Sequence, residues 1–175
     1  MINLFSYADV IVSLSLLFGW ITCIIIAKED LRSRIIPNKY LFILLIFGML
    51  RHSFSTSLLE FSINVAIGLG IIVVTFPLYA YGKMGAGDVK FFGVSLFYCG
   101  HHLLPEYFMT LMLCGFVISI ISLSDAAKYA WYSFTNLLRI PRLQSLMPTP
   151  TSIPFGVPIA ATILIGTFPF LKISV

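Results

Sequence analysis

Long apolar segments constrain the fold of this chain more than any other feature of its sequence. An α-helix needs about 20 apolar residues to cross about 30 Å of hydrocarbon. Three segments, about 10–27, 61–81 and 107–124, approach that length and contain no Asp, Glu, Lys or Arg. Two shorter segments, about 89–104 and 154–171, are sharply bounded. The pattern predicts an all-α polytopic membrane protein.

The composition also places the chain in a lipid bilayer. Of its 175 residues, 59% are hydrophobic and 10% are charged, against roughly 45–50% and 25% in soluble domains. These values exclude a soluble globular fold and a disordered chain. The isoelectric point near 9.1 reflects few acidic residues rather than a basic stripe, so nucleic-acid binding is excluded too. We interpret residues 1–175 as a single transmembrane domain.

A sixth segment, about 40–55, is predicted to cross the membrane only when the distribution of charge is considered as well. Only Tyr40–Leu50 is free of charge, so either Lys39 and Arg51 snorkel from opposite ends or Arg51 lies near the outer interface. With the N-terminus outside, nine basic residues fall in inner loops and only Arg51 and Lys172 fall outside. The positive-inside rule therefore favours about six spans.

Two further segments carry weaker signals. The connection 125–153 is aromatic and basic in its first half, which predicts an interfacial helix, and proline-rich in its second half, which predicts a loop along the inner surface. Residues 1–9 contain no basic stretch. This argues against a cleaved signal peptide and makes 10–27 the first permanent span.

Acidic residues at the inner ends of the predicted spans are candidates for a functional site, because an acid there is costly unless solvated, paired or functional. These residues are Glu29, Asp30, Asp88 and Asp125. Asp88 follows Gly85-Ala86-Gly87, and we expect either a positive φ or close approach of a substrate backbone at Gly87. A dinucleotide-binding loop is rejected because an apolar span, not a strand, precedes these glycines.

Asp30 is predicted to reach the same membrane face as Asp88. Pro37 biases Ile36 away from helix, so the chain turns before the second span, and the first and third spans both run inward. Two adjacent carboxyl groups share one proton, so that one activates water and the other donates to a carbonyl. The residues alone leave a second interpretation open, in which both aspartates are helix caps or topology charges.

Three short motifs resemble those of the type IV prepilin peptidases, the Gly-x-Gly-Asp aspartic proteases. They are Gly85-Ala86-Gly87-Asp88 followed by Val89-Lys90, Asp30 followed by Arg34-Ile35-Ile36-Pro37-Asn38, and Ile153-Pro154-Phe155-Gly156. The similarity extends over nearly the whole chain. Gly-x-Gly-Asp alone is a weak signal, but three motifs in order at matching span ends are specific.

The resemblance implies an aspartic endopeptidase with Asp30 and Asp88 as its catalytic pair and Gly85 and Gly87 shaping the loop. It implies cleavage of a pilin precursor just before its hydrophobic helix, at the cytoplasmic face of the bacterial inner membrane, without a cofactor. Candidate substrate contacts are Glu29, Arg34, Pro37, Asn38, Lys90, Pro154 and Gly156.

The chain departs from the long members of this family in one respect. Long family members carry a cytoplasmic segment with paired Cys-x-x-Cys motifs and also N-methylate the pilin, whereas Cys23, Cys99 and Cys114 are scattered here. The chain resembles the short, peptidase-only form of tight-adherence (Tad-type) pilus systems. We therefore expect no N-methyltransferase activity.

The histidines and the acids each allow another interpretation. His52, His101 and His102 map to the outer ends of spans, and adjacent histidines on a helix point about 100° apart, so no metal site is predicted. A non-enzymatic assembly factor or a small cation or proton transporter could use the same acids. In a transporter the acids would be expected near the membrane midplane on broken spans. The acids of this chain lie at span ends, which favours the peptidase.

Overall fold

The structure, a computed structural model, describes residues 7–33, 35–123, 129 and 155–173. These residues form helices, with no strand among them, so the predicted all-α fold is confirmed. A short 3-10 turn, His101–Leu103, links the fourth and fifth helices. The helices are α1 (Tyr7–Ser33), α2 (Asn38–Ser55), α3 (Leu58–Ala80), α4 (Ala86–Cys99), α5 (Leu104–Leu123) and α6 (Gly156–Ile173).

Three helical segments are long and apolar enough to cross a membrane: Tyr7–Ser33, Leu58–Ala80 and His101–Ile120. Large apolar side chains face outward from them, and Val73 and Val74 of α3 are 71% and 69% exposed. A soluble protein rarely tolerates such surfaces over whole helices. The chain is therefore a membrane protein, while the expected six crossings stay a prediction.

Helix α4 lies at the centre of the bundle and contacts α2, α3, α5 and α6. Its Phe91 and Tyr98 side chains are fully buried. The Tyr98 hydroxyl donates to the Ser15 carbonyl of α1 at 3.1 Å. A Cβ atom on Gly19 would collide with that hydroxyl, so the glycine allows the Tyr98 side chain to reach α1.

The end of α4 differs from the predicted span 89–104. The helix stops at Cys99 because Gly100 adopts φ 83°, and the 3-10 turn follows. The last carbonyls of a helix have no donor within it. Here Arg51 Nη1 donates to the Tyr98 carbonyl at 2.6 Å and His52 Nε2 to the Phe97 carbonyl at 2.7 Å.

Arg51 is thus placed differently from the predicted snorkelling side chain. It is 6% exposed, because it binds the carbonyl end of α4 inside the bundle instead of reaching for water. Asn64 of α3, which is 1% exposed, extends the arrangement by donating to His52 Nδ1 at 3.4 Å and accepting from the His101 N–H at 2.8 Å. We call this region the arginine end of the bundle.

Candidate active site

Asp30 lies in the last turns of α1, at the end of the bundle opposite Arg51, and is 4% exposed. Its Oδ2 accepts a hydrogen bond from the backbone N–H of Gly156, the first residue of α6, at 2.9 Å. The first N–H groups of a helix lack partners within it and favour a negatively charged acceptor. Helix α6 therefore holds the Asp30 carboxyl in place.

Gly156 has to be a glycine for this contact to form. A Cβ atom there would lie 2.8 Å from Asp30 Oδ2 and 3.0 Å from Asp30 Cγ. Any side chain would displace either the carboxyl or the start of α6. The sequence suggested Gly156 as a substrate contact, and the structure places it against Asp30.

Asp88 is the third residue of α4, whose N-cap is Gly85. The Gly85 backbone N–H forms a hydrogen bond with the Asp88 carboxyl, as an acid at this helix position commonly does. A Cβ atom on Gly85 would lie 2.9 Å from Asp88 Oδ2. The small residue therefore lets the carboxyl fold back over the start of its own helix.

The two carboxyl groups influence each other electrostatically. Asp88 precedes the apolar part of α4 and is partly buried. Burial, and after it the negative charge of Asp30, raises the pKa of the Asp88 carboxyl to about 6, while the hydrogen bond from Gly85 opposes the rise. Both effects disfavour the ionised form. The structure thus brings the two predicted aspartates together at one end of the bundle, which we call the aspartate end.

A cleft of about 220 Å³ opens beside Asp88 and is lined by Ile35, Ile36 and residues 85–88. Residues 35–37 have no helical structure there and pass over the start of α4 on their way to α2. Ile36 is 7% exposed, whereas Ile35 is 68% exposed. One wall of the cleft is therefore a non-helical segment, and the other carries Asp88.

Gly87 is constrained by packing rather than by backbone torsion. The positive φ considered for it is wrong: Gly87 lies within helix α4, and positive φ occurs at Gly82 and Gly100 among the described glycines. A Cβ atom on Gly87 would lie 3.1 Å from the Ile36 Cβ and 3.5 Å from the Ile36 N. Gly87 therefore allows the 35–37 segment to pass close to α4.

The other predicted contact residues that the structure describes are not part of the lining of this cleft. Lys90 Nζ donates to Asn38 Oδ1 at 3.3 Å, which links α4 to the start of α2 at the surface. Pro37 is the N-cap of α2, and Glu29 is partly exposed beside Asp30. Arg34 and Pro154 lie outside the described residues, as does the connection 125–153 apart from Tyr129.

The chemistry available at the aspartate end is that of a carboxyl pair. Two acids whose charges influence each other have coupled titrations. Within the described parts of the chain, no three His, Cys, Asp or Glu side chains are grouped so as to hold a metal ion. The groups in place can take a proton from water and give one to a carbonyl oxygen.

A helical membrane protein with two interacting carboxyl groups at one end of its bundle is the class that this fold and site define. Residues 16–122, more than half of the chain, match the family model of the type IV leader peptidase family. The chain belongs to that family, so the resemblance is confirmed. No curated protein and no solved structure matches the chain significantly. Family membership supports an aspartic leader-peptidase activity, and the matched region includes both Asp30 and Asp88.

Sequence reasoning missed one feature of the site and one feature of the arginine end. It proposed no role for Ile36, although the structure packs this residue against Gly87. It also did not single out Asn64, which joins the buried hydrogen bonds at the arginine end. The sequence does contain a signal for Asn64. An amide in a long apolar segment needs hydrogen-bond partners within the bilayer, which indicates a buried polar contact.

Proposed function

We propose that this chain is an aspartic endopeptidase that removes the leader peptide of type IV pilin precursors, with Asp30 and Asp88 as its catalytic pair. The observation that carries the proposal is the arrangement at the aspartate end. Asp88 lines an open cleft, and Asp30 lies close enough for its charge to act on the Asp88 carboxyl. Membership of the type IV leader peptidase family supports the same reaction.

The surroundings of the two carboxyls favour different roles. Asp30 Oδ2 accepts a hydrogen bond from the Gly156 N–H, which fixes the position of this carboxyl, so we assign Asp30 as the base that takes a proton from water. The raised pKa of Asp88 increases the fraction of that group that carries a proton near neutral pH, so we assign Asp88 as the donor to the scissile carbonyl oxygen. This division follows the rule that neighbouring carboxyls in different environments take different roles.

The reaction then closes as a cycle. The water oxygen attacks the carbonyl carbon and forms a tetrahedral intermediate. The carbon–nitrogen bond breaks as the proton taken by Asp30 passes to the leaving amine, while Asp88 recovers its proton from the hydroxyl of the intermediate. Both carboxyls return to their starting states, so the pair supplies general acid and general base without a covalent intermediate.

The location and substrate are part of the proposal. The distribution of basic residues supports an aspartate end at the cytoplasmic face of the inner membrane, with the scissile bond just before the apolar helix of the precursor. The lack of Cys-x-x-Cys pairs supports a peptidase-only enzyme of the Tad-type systems, without N-methylation.

Co-expression with type IV pilin precursors tests the activity. Wild-type enzyme should convert a precursor to a faster-migrating mature form, with the new N-terminus read by mass spectrometry. Asp30→Asn and Asp88→Asn should each leave less than about 1% of the processing rate, because a 10²–10⁴-fold contribution is typical of a positioned acid or base. Conservative Asp→Glu changes should also fail, since misplacement by about 1 Å costs about 100-fold.

Glu106→Gln is the matched control. Glu106 is an exposed acid in the first turn of α5, outside the aspartate end, and its neutralisation should leave processing unchanged. Processing by either asparagine variant at more than a few per cent of the wild-type rate would show that the pair is not catalytic.

A further inference from the structure

An apolar groove of about 260 Å³ runs along the bundle surface between α3 and α5. Its floor is formed by Phe92 of α4 and Ile159 of α6, and its walls include Leu78 of α3 and Leu111 of α5. Both flanking helices carry exposed apolar side chains on either side of it, so the groove opens toward lipid. It has room for several aliphatic side chains but not for a whole helix.

One end of this groove is lined by residues that are adjacent in the chain to residues of the candidate active site. Lys83, Met84 and Phe155 line that end. Met84 directly precedes Gly85, the N-cap residue beside the Asp88 carboxyl, and Phe155 directly precedes Gly156, whose N–H binds Asp30. The two chain segments that position the two carboxyls therefore also form the groove end.

A second apolar groove gives a useful comparison. It has a volume of about 210 Å³ and lies between α2, α3 and α4, with Leu45, Leu69 and Phe97 in its lining. Its lining contains no residue of 83–88 or 155–156. An apolar segment bound there would have no short path to the Asp88 cleft, whereas one in the α3–α5 groove would.

We propose that the α3–α5 groove receives the first turns of the precursor's apolar helix and so places the scissile bond at the Asp88 cleft; this rests on the proposed function. The bond cleaved would be followed directly by that helix, which has to lie in the bilayer. Because a helix rises 1.5 Å per residue, its first two turns must contact the protein close to the carboxyls. The helix would lie over the groove and insert aliphatic side chains into it.

Gly115 offers a way to fill the groove without disturbing the bundle. It lines the groove from α5, and a Cβ atom added to it would meet nothing within 4 Å. Gly70 of α3 is equally open and lies outside the groove lining. Gly115→Leu and Gly70→Leu therefore add the same side chain to open helix surfaces, and only the first occupies the proposed docking site.

Processing kinetics in membranes distinguish the two sites. The probe is a type IV pilin precursor that wild-type enzyme cleaves. Gly115→Leu should lower kcat/KM about tenfold or more, chiefly through KM, as expected for the loss of a docking contact. Gly70→Leu should stay near wild type, and both variants should accumulate normally in membranes. Equal rates for Gly115→Leu and wild type would overturn the docking proposal and leave the peptidase assignment intact.

Photocrosslinking keeps the docking proposal testable if cleavage itself fails. Benzoylphenylalanine is introduced at position 115 or at position 70 in the Asp88→Asn background, with the same set of pilin precursors. Capture of a precursor through its apolar helix from position 115, and not from 70, supports the groove even if wild type cleaves nothing. Crosslinks to lipid alone at position 115 would overturn it.

Discussion

The Gly156 backbone N–H donates to Asp30 Oδ2 at 2.9 Å, joining residues that are 126 positions apart in the chain. The contact ties the end of α1 to the start of α6. It gives the buried Asp30 carboxyl a donor that comes from a helix end, where donors are unsatisfied. The motif around Gly156 therefore acts on the first aspartate of the pair.

Gly156→Ala should lower processing by about 100-fold, because its Cβ would lie 2.8 Å from Asp30 Oδ2 and misplacement by about 1 Å has such an effect in a positioned site. Gly166→Ala is the control on the same helix, since a Cβ there meets nothing within 4 Å. Rates measured with one precursor and equal amounts of membrane-inserted enzyme give the comparison. Wild-type activity in Gly156→Ala would mean that Asp30 tolerates a different position.

Gly87→Val should suppress processing although Asp88 is unchanged. A Cβ at residue 87 would already lie 3.1 Å from the Ile36 Cβ, and the branched side chain adds atoms to this contact. Overpacking of this kind typically costs about 1–3 kcal/mol, and here it should push the 35–37 segment away from α4.

Gly70→Val provides the control for that change, because residue 70 is open on α3. Membrane levels of both variants, measured by immunoblot, separate loss of the protein from loss of activity. Full processing by well-inserted Gly87→Val would show that the close approach of Ile36 is irrelevant to the site.

The pH dependence of processing should report the protonation of Asp88. Because the pKa of Asp88 is raised to about 6, the protonated donor is present below that value and is lost as the pH rises through it. The rate should therefore fall as the pH rises through about 6. Initial rates in detergent or vesicles across this range test the profile.

A direct titration separates the causes of that shift. In Asp30→Asn, the negative charge that helps to raise the pKa of Asp88 is removed. Carbon-13 NMR of labelled aspartate should then show the Asp88 carboxyl titrating at lower pH than in wild type. An unchanged titration would mean that burial alone accounts for the shift.

Topology reporters test the orientation of the bundle. Fusions after Lys39 and Lys83 should read cytoplasmic, and fusions after Ser55 and Pro105 should read external, because nine basic residues then lie inside and two outside. Alkaline phosphatase and green fluorescent protein activities give opposite readouts. An external reading at Lys83 would contradict the proposed cytoplasmic cleavage.

The sequence was sufficient to predict those parts of the site that depend on local patterns. Charge-free segments predicted the helices, and the Gly-x-Gly-Asp motif placed Asp88 at a helix start, as the structure confirms. Because the first and third spans both run inward, Asp30 was predicted to lie at the same end of the bundle as Asp88. These features follow from helix length and polarity, which each segment encodes by itself.

The contacts between distant segments were not predictable in this way. Nothing local to Gly156 indicates that its N–H meets Asp30, and nothing local to Gly87 indicates that Ile36 packs on it. Each glycine was assigned a role in substrate contact or backbone torsion, because these are the reasons that a single segment can reveal. Close packing between helices depends on how the whole bundle assembles.

The same limit applies to Arg51. A cation in an apolar segment predicted a side chain that extends to water. In the structure Arg51 instead binds a carbonyl at the end of α4, and the sequence of α2 alone does not indicate this partner. The Arg51 side chain at this position also explains how α4, with only 14 residues, can end inside the bundle. Unsatisfied carbonyls at that depth would be costly.

The pairing of Arg51 with Tyr98 has a consequence for biogenesis. The arginine is synthesised 47 residues before its carbonyl acceptor, so this hydrogen bond cannot form until α4 has been made. A charged side chain within the bilayer is stabilised by pairing with backbone carbonyls. The final packing of α2 against α4 should therefore be a late step of insertion.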